Sequence, residues 1–149
     1  MTMFRGQFEH AIDEKGRTSL PARFRAALAD DAKEVILVPA LFDPCVELHP
    51  LGAWEELEQK VAALPRFDPN AVQLRRRYLA ASVVCDIDKQ GRVLVPPSMR
   101  EHAGLAKEAF WSGVGKYAEL WSKARFEGSL EMTSERAEDF KAFVGQLSL

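Results

Sequence analysis

One thirteen-residue unit is written twice in this chain: DEKGRTSLPARFR at 13–25 and DKQGRVLVPPSMR at 88–100. A shift of 75 aligns Asp13 with Asp88, Gly16 with Gly91, Arg17 with Arg92, Pro21 with Pro96 and Arg25 with Arg100. Ile12 and Leu20 meet Ile87 and Val95 under the same shift. Similarity resumes at VELHP (46–50) and AELWS (118–122), now shifted by 72, and Trp54 then meets Phe126. A duplication on this scale requires two like units. Within 149 residues, halves of about 75 residues would each be marginal alone. They are therefore expected to pack on one another or on neighbouring chains.

Each copy reads locally in the same way. Phe8, His10 and Ile12 alternate with polar or small residues, and Val83, Cys85 and Ile87 hold the same positions in the second copy. A period of two predicts a strand with one buried face. Asp-x-x-Gly follows: the Asp side chain can bond backbone amides two residues on, and Gly accepts a positive φ. The unit thus predicts a strand, a tight turn and a second strand, at Arg17–Leu20 and Arg92–Val95. Pro21 and Pro96 end these strands, and Pro also suits the first turn of a helix. Short helices are predicted at 22–29 and 97–103, the latter stopped by Gly104. Further strands are predicted at Glu34–Val38, Val46–His49, Ala109–Ser112 and Ala118–Ser122. Helices are predicted at Trp54–Leu64, from Asp68-Pro69 to about Leu79, and at Ser134–Leu147. The last carries an apolar stripe of Phe140, Phe143, Val144 and Leu147. The chain divides into a first repeat (1–53), connecting helices (54–80), a second repeat (81–126) and a C-terminal helical segment (127–149).

The net charge of −2 conceals an uneven distribution. Residues 1–29 hold five Lys and Arg against three Asp and Glu; residues 75–100 hold six against two. Residues 30–74 and 101–149 are net acidic. Positive charge therefore sits on and just before the two copies, as in a protein that meets a polyanion through one face. Apolar residues make up 47% of the chain, yet no run approaches the ~18 residues that span a bilayer. The opening MTMFRGQFEH lacks the apolar core of a secretory signal, so a cytoplasmic location is expected. Cys45 and Cys85 are expected as small buried hydrophobes rather than a disulfide.

Arg17 and Arg92 come directly after the turns, where a guanidinium can bind phosphate or a guanine edge in a bidentate manner. Lys15 adds charge to the first turn and Lys89 to the second. Asp13 and Asp88, four residues earlier, can brace the turn or orient the arginine. A β-ribbon can enter a major groove. A sharp structural turn carrying a solvated arginine would use the same residues. Arg75, Arg76 and Arg77 form the densest basic run. On an α-helix they would fan over about 200°, with Leu74 and Tyr78 on the apolar side and Arg76 and Arg77 outward. A solvated helix face accounts for them equally well. Arg5, Arg23 and Arg25 are supplementary phosphate-contact candidates on the same terms.

Catalysis finds little support. His10, His49 and His102 lie far apart without metal-ligand spacing, and G-x-S-x-G, a P-loop and a Gly-rich dinucleotide turn are all absent from the sequence. Cys85 and His10 hold equivalent positions, which leaves a Cys–His pair open, although a core Cys and a core His at a symmetric interface explain them more simply. No cofactor, metal or small-molecule substrate is expected.

The unit D-x-x-G-R-x-x-x-P-x-x-x-R resembles the AbrB/SpoVT DNA-binding family. Two copies in one chain, with MFRGQFEHAIDEKGR and RRRYLAASVVCDIDKQGRVLVP, resemble the MraZ family over nearly the whole length. This resemblance implies an α+β, mainly β fold: two tandem AbrB/SpoVT-like swapped-hairpin repeats forming a pseudo-twofold β-barrel flanked by helices. It also implies a ring-shaped homo-oligomer at the nucleoid. The partner it implies is double-stranded DNA, at promoter repeats ahead of the division and cell-wall gene cluster, including the protein's own promoter. The DNA-binding residues it implies are Asp13, Lys15 and Arg17 in the first copy and Asp88 and Arg92 in the second, where Gln90 replaces the lysine. Arg25 and Arg100 match an arginine that contacts DNA in related single-repeat regulators. A toxin-neutralising antitoxin of the same fold would show one copy and an extended acidic tail, and a purely structural ring would ignore DNA. A Cys–His hydrolase would need a reactive Cys85.

Overall fold

Two runs, Glu34–Pro39 and Glu108–Gly113, are apolar on successive residues rather than alternate ones. Such strands need cover on both faces. The computed structural model, which describes residues 3–149, supplies that cover. The chain order is β1 (Gln7–Ala11), β2 (Arg17–Ser19), α1 (Ala22–Ala27), β3 (Glu34–Pro39), β4 (Val46–Pro50), α2 (Leu51–Ala62) and α3 (Pro69–Leu74). After a π-helical turn at Arg75–Leu79 come β5 (Val83–Asp86), β6 (Arg92–Leu94), α4 (Pro97–Ala103), β7 (Glu108–Gly113), β8 (Ala118–Trp121), α5 (Lys123–Ser129) and α6 (Ser134–Gly145). The fold is α+β and mainly β. The predicted strands and short helices stand within a residue or two of these bounds, as is usual for element ends.

The strands form one six-stranded sheet, ordered β1-β7-β8-β4-β3-β5, and one two-stranded ribbon, β2-β6. All recorded pairs are antiparallel. The first strand of each copy pairs with the other copy: β1 lies on β7, and β5 lies on β3. The two halves therefore do not form separate sheets. β4 and β8 meet at the centre with Glu47 opposite Glu119, and β2 meets β6 with Thr18 opposite Val93. The sequence shifts of 72 and 75 make these pairs equivalent residues, so an approximate twofold passes through both. A closed barrel is not what the described strands build. β1 and β5 remain as edges of the large sheet, and the ribbon is a separate ladder.

The main core lies on one face of the sheet. Val35, Leu37, Val46, Leu48, Ala109, Trp111, Ala118 and Leu120 point into it, joined by Phe24 of α1 and Met99 of α4. Phe24 is fully buried and takes edge-to-face contacts from Phe4, Phe8 and Trp111 at 5.5–5.9 Å. The opposite face carries two smaller clusters. Ile36 and Val38 pack with Trp54 and Tyr78 beneath α2, while Phe110 and Trp121 pack with Phe126 of α5. Trp54 and Phe126 are equivalent in the duplication, so one sheet face is covered twice by related helices. Both Cys45 and Cys85 are buried and free.

Three helical expectations change. α2 begins at Leu51, directly after Pro50, rather than at Trp54, and α5 runs across residue 126, so the boundaries at 53 and 126 each fall inside a helix. The predicted Asp68–Leu79 helix is an α-helix only to Leu74. Asp68 caps it by accepting from the amides of Asn70 and Ala71, and the chain then widens into the π-turn. That widening brings the Tyr78 hydroxyl to Glu47. The Arg75–Arg77 fan drawn for an α-helix therefore does not apply. Finally, α6 ends at Gly145 and leaves its apolar stripe in the open: Phe140, Phe143 and, just past the helix, Leu147 are about half exposed, and no residue of the helix is buried.

Candidate nucleic-acid interface

Both duplicated turns are closed by the same set of bonds. At the first, Asp13 Oδ1 accepts from the amides of Lys15 (3.0 Å) and Arg17 (2.8 Å), and Oδ2 accepts from Arg17 Nε at 2.7 Å. At the second, Asp88 Oδ1 accepts from the amides of Gln90 and Arg92, both at 2.9 Å, and Oδ2 accepts from Arg92 Nε at 2.9 Å. The main chain adds Gly16 N to Asp13 O, and Gly91 N to Asp88 O. Bonds to the charged carboxylate favour that form, so both carboxyls lie below their ordinary pKa. The arginine amide is the largest cause in each. The aspartates therefore brace the turn and orient the arginine at once.

Glycine is required at both turns. Gly16 has φ +92° and Gly91 has φ +76°, a region that penalises a side chain. Their surfaces are also occupied. A Cβ on Gly16 would stand 2.7 Å from Cζ of Arg100, and one on Gly91 would stand 2.7 Å from Nη1 of Arg25. The last arginine of each unit thus lies on the turn of the other unit. Arg100 also donates from Nε to the Val95 carbonyl at 3.0 Å. Leu20 N bonds Gly91 O, and Val95 N bonds Gly16 O. The whole repeated unit, from Asp to final Arg, is one interlocked object made from both copies.

The ribbon presents its surface by alternation. Thr18 and Val93 point inward and are almost fully buried. Arg17, Ser19, Arg92 and Leu94 therefore share the outer face, with Arg17 opposite Leu94 and Ser19 opposite Arg92. Beside it is an open depression of about 430 Å³ lined by His10, Ala11, Asp13, Arg17, Ser19 and Arg92. The reading of the sequence missed Ser19, Leu94 and His10 as members of this surface. The period of two through Arg17–Ser19 and Arg92–Leu94 was the signal that would have found Ser19 and Leu94; His10 reaches the surface from β1 through its contact with Ser19, which no local pattern records.

The two arginines differ in their bonding. Arg17 is held only through Nε among the described residues. Arg92 is held by Nε to Asp88, by Nη2 to Gln90 Oε1 at 2.8 Å, and by Nη1 near Asp13 Oδ2 at 3.9 Å. Lysine at position 15 has no acceptor to offer Arg17, which is why the first guanidinium keeps both terminal nitrogens free. Lys15 and Lys89 are exposed at the tips.

The other candidates separate. Arg23 and Arg25 are exposed on α1, beside the ribbon. Arg5 is exposed ahead of β1, beyond Gly6, and the five residues of β1 separate it from the first turn. It stands at the far end from the turns. Arg75 is turned to other work: it donates to the carbonyls of Leu64 (2.6 Å) and Arg66 (3.3 Å), just past the end of α2. Arg77 bonds Gln73. The equivalent residues His10 and Cys85 make separate contacts, His10 with Ser19 and Cys85 with the Val83 carbonyl. Burial pushes the Cys85 thiol up to about 11, which keeps it protonated near neutrality. Among the described residues, no helix is long and apolar enough to cross a membrane.

Comparison with known proteins matches residues 3–77 and 79–144 to the family model described as "MraZ protein, putative antitoxin-like". The "Transcriptional regulator MraZ" of Thermomicrobium roseum is 42% identical over 130 residues, covering 87% of this chain and 89% of that protein. That of Pediococcus pentosaceus is 39% identical over 137 residues, covering 92% and 93%. That of Thermoanaerobacter pseudethanolicus is 37% identical over 147 residues, covering 99% and 100%.

Proposed function

The chain belongs to the MraZ family, and from that membership we propose that it is a transcriptional regulator that binds double-stranded DNA through the β2-β6 ribbon and its two turns. The observation that carries the reading is the free fork of Arg17 beside Lys15, on the outer face of a two-stranded ribbon. A ribbon of this width fits a major groove, and a guanidinium held only at Nε offers its two terminal nitrogens to a phosphate or to guanine O6 and N7. Arg92, bonded through Nε and Nη2 and with Nη1 3.9 Å from the Asp13 carboxylate, serves as the second and weaker contact. Arg25 and Arg100 hold the opposite turn in shape, and their charge adds to the phosphate-facing field with Arg23 and Lys89. Arg5 and the Arg75–Arg77 run lie outside the contact set.

Each chain offers few basic groups, so one chain alone binds weakly. Several chains in a ring would engage successive DNA repeats and multiply that affinity. The exposed apolar stripe of α6 and the residues just after it supports such assembly, since Phe140, Phe143 and Leu147 are each about half exposed. The targets are promoter repeats, including those ahead of the protein's own coding sequence, and the place of action is the nucleoid in the cytoplasm. No cofactor and no catalytic step enter this account.

The test is a fluorescence anisotropy titration of two labelled duplexes of equal length, one from upstream of the coding sequence and one unrelated. Binding to the upstream duplex tighter by about 10³-fold or more at physiological salt is expected for a specific regulator. Equal affinity for both would remove sequence-specific regulation from the account.

A further inference from the structure

The duplication makes the ribbon nearly symmetric; it departs from symmetry at Thr18 and Val93 on the buried face and at one pair on the outer face. About the Thr18–Val93 axis, Arg17 is matched by Arg92, an identical residue. Ser19 is matched by Leu94, a residue of opposite chemistry. We propose that Ser19 and Leu94 are sequence-reading residues, and that their difference makes the recognised DNA element asymmetric, with a thymine methyl under Leu94. This rests on the reading of the ribbon as the DNA-binding surface.

Leu94 is half exposed on a strand of three residues, and its cross-strand partner is Arg17. Among the described residues, Leu94 belongs to none of the apolar clusters and stands beside a guanidinium. In a major groove the apolar feature at that depth is the C5-methyl of thymine. The arginine opposite would hold the register while the leucine covers the methyl.

Ser19 is prepared differently. His10 Nδ1 lies 2.7 Å from the Ser19 carbonyl oxygen and 2.8 Å from Ser19 Oγ. The carbonyl can only accept, so Nδ1 carries the proton and Ser19 Oγ shares it as a second acceptor. The serine hydroxyl proton is then free to donate outward. It suits a base edge that accepts, such as a purine N7 or thymine O4. Cys85, at the position equivalent to His10, bonds the Val83 carbonyl instead, so the second hairpin has no matching device. Two arginines, even of unequal strength, would seek the same kind of base edge at dyad-related positions; a donor at one side and an apolar group at the other cannot.

The experiment selects duplexes from a random-sequence pool with the full-length wild-type chain, then resynthesises the recovered element with deoxyuridine in place of each thymine in turn. Deoxyuridine lacks only the methyl group. We expect one position at which this change weakens wild-type binding roughly three- to fivefold, the value of one buried methyl. Leu94→Ala, at an exposed site, is expected to bind both forms equally. Ser19→Leu is expected to recover an element with thymine at both dyad-related positions. Equal wild-type affinity for thymine and deoxyuridine at every position would overturn the proposal. So would discrimination that survives in Leu94→Ala, or recovery of one and the same element by wild type and Ser19→Leu. Arg17→Ala is measured alongside. If it binds the element as tightly as wild type, or if the pool yields no element at all, the ribbon reading itself fails. If Arg17 is needed but the methyl is not sensed, only the present proposal fails.

Discussion

Arg100 lies on Gly16, so that the last residue of the second unit seats against the turn of the first; Arg25 and Gly91 repeat the contact in reverse. The backbone at Gly16 has a positive φ, and its free face is filled by a guanidinium. Gly16→Ala is expected to destabilise the fold by about 1–2 kcal/mol, mainly through the left-handed backbone, because the arginine tip can shift. Urea denaturation midpoints measure this. Gly52→Ala in α2, where a Cβ meets open space, provides the contrast and should stabilise slightly.

The axis of the ribbon carries its own defect. Thr18 is buried and its hydroxyl has no partner among the described residues, while Val fills the equivalent position at 93. Thr18→Val keeps the shape and removes a polar group that has lost water. A gain of about 1–2 kcal/mol is expected, read as a raised denaturation midpoint at unchanged slope. A loss of stability would mean that the hydroxyl is satisfied.

These two positions show how far the sequence could be read. The repeated Asp-x-x-Gly-Arg gave the turns, their braces and their glycines, because each bond spans four residues or fewer. The partner of each strand was not legible. That β1 lies on β7 and β5 on β3 follows from contacts about a hundred residues apart in the first case, which no local pattern records. For the same reason the seat of Arg100 on Gly16 was hidden, and both arginines read as DNA contacts alone. The π-turn at Arg75–Leu79 was missed because the apolar positions Leu74 and Tyr78 fit an α-helix equally well. The inequality of the site, with Gln90 Oε1 on Arg92 and two free terminal nitrogens on Arg17, follows from one difference between the turns, Lys15 against Gln90, whose structural effect depends on side-chain reach.

The braces titrate with a definite sign. Asp13 and Asp88 have carboxyls lowered from the ordinary 3.8 by the arginine amides and side chains. The unfolded chain takes up these protons first as pH falls, so the stabilisation is present above the ordinary carboxylate range. It is lost as pH falls through the lowered folded values. Carbon-detected carboxyl titrations should place both midpoints below 3.8, and Asp13→Asn with Asp88→Asn should flatten the acid limb of the stability profile. Midpoints at or above 3.8 would contradict the brace.

The central claim is that Arg17 leads DNA contact because its fork is free and that of Arg92 is not. The direct measurement is an anisotropy titration of wild type, Arg17→Ala and Arg92→Ala against one duplex from upstream of the coding sequence, repeated over a range of salt. The account predicts that Arg17→Ala weakens binding by roughly 10- to 100-fold, the value of a bidentate base contact. Arg92→Ala is predicted to weaken it several-fold less. Unchanged affinity and salt slope in Arg17→Ala, or a larger loss in Arg92→Ala, would contradict it.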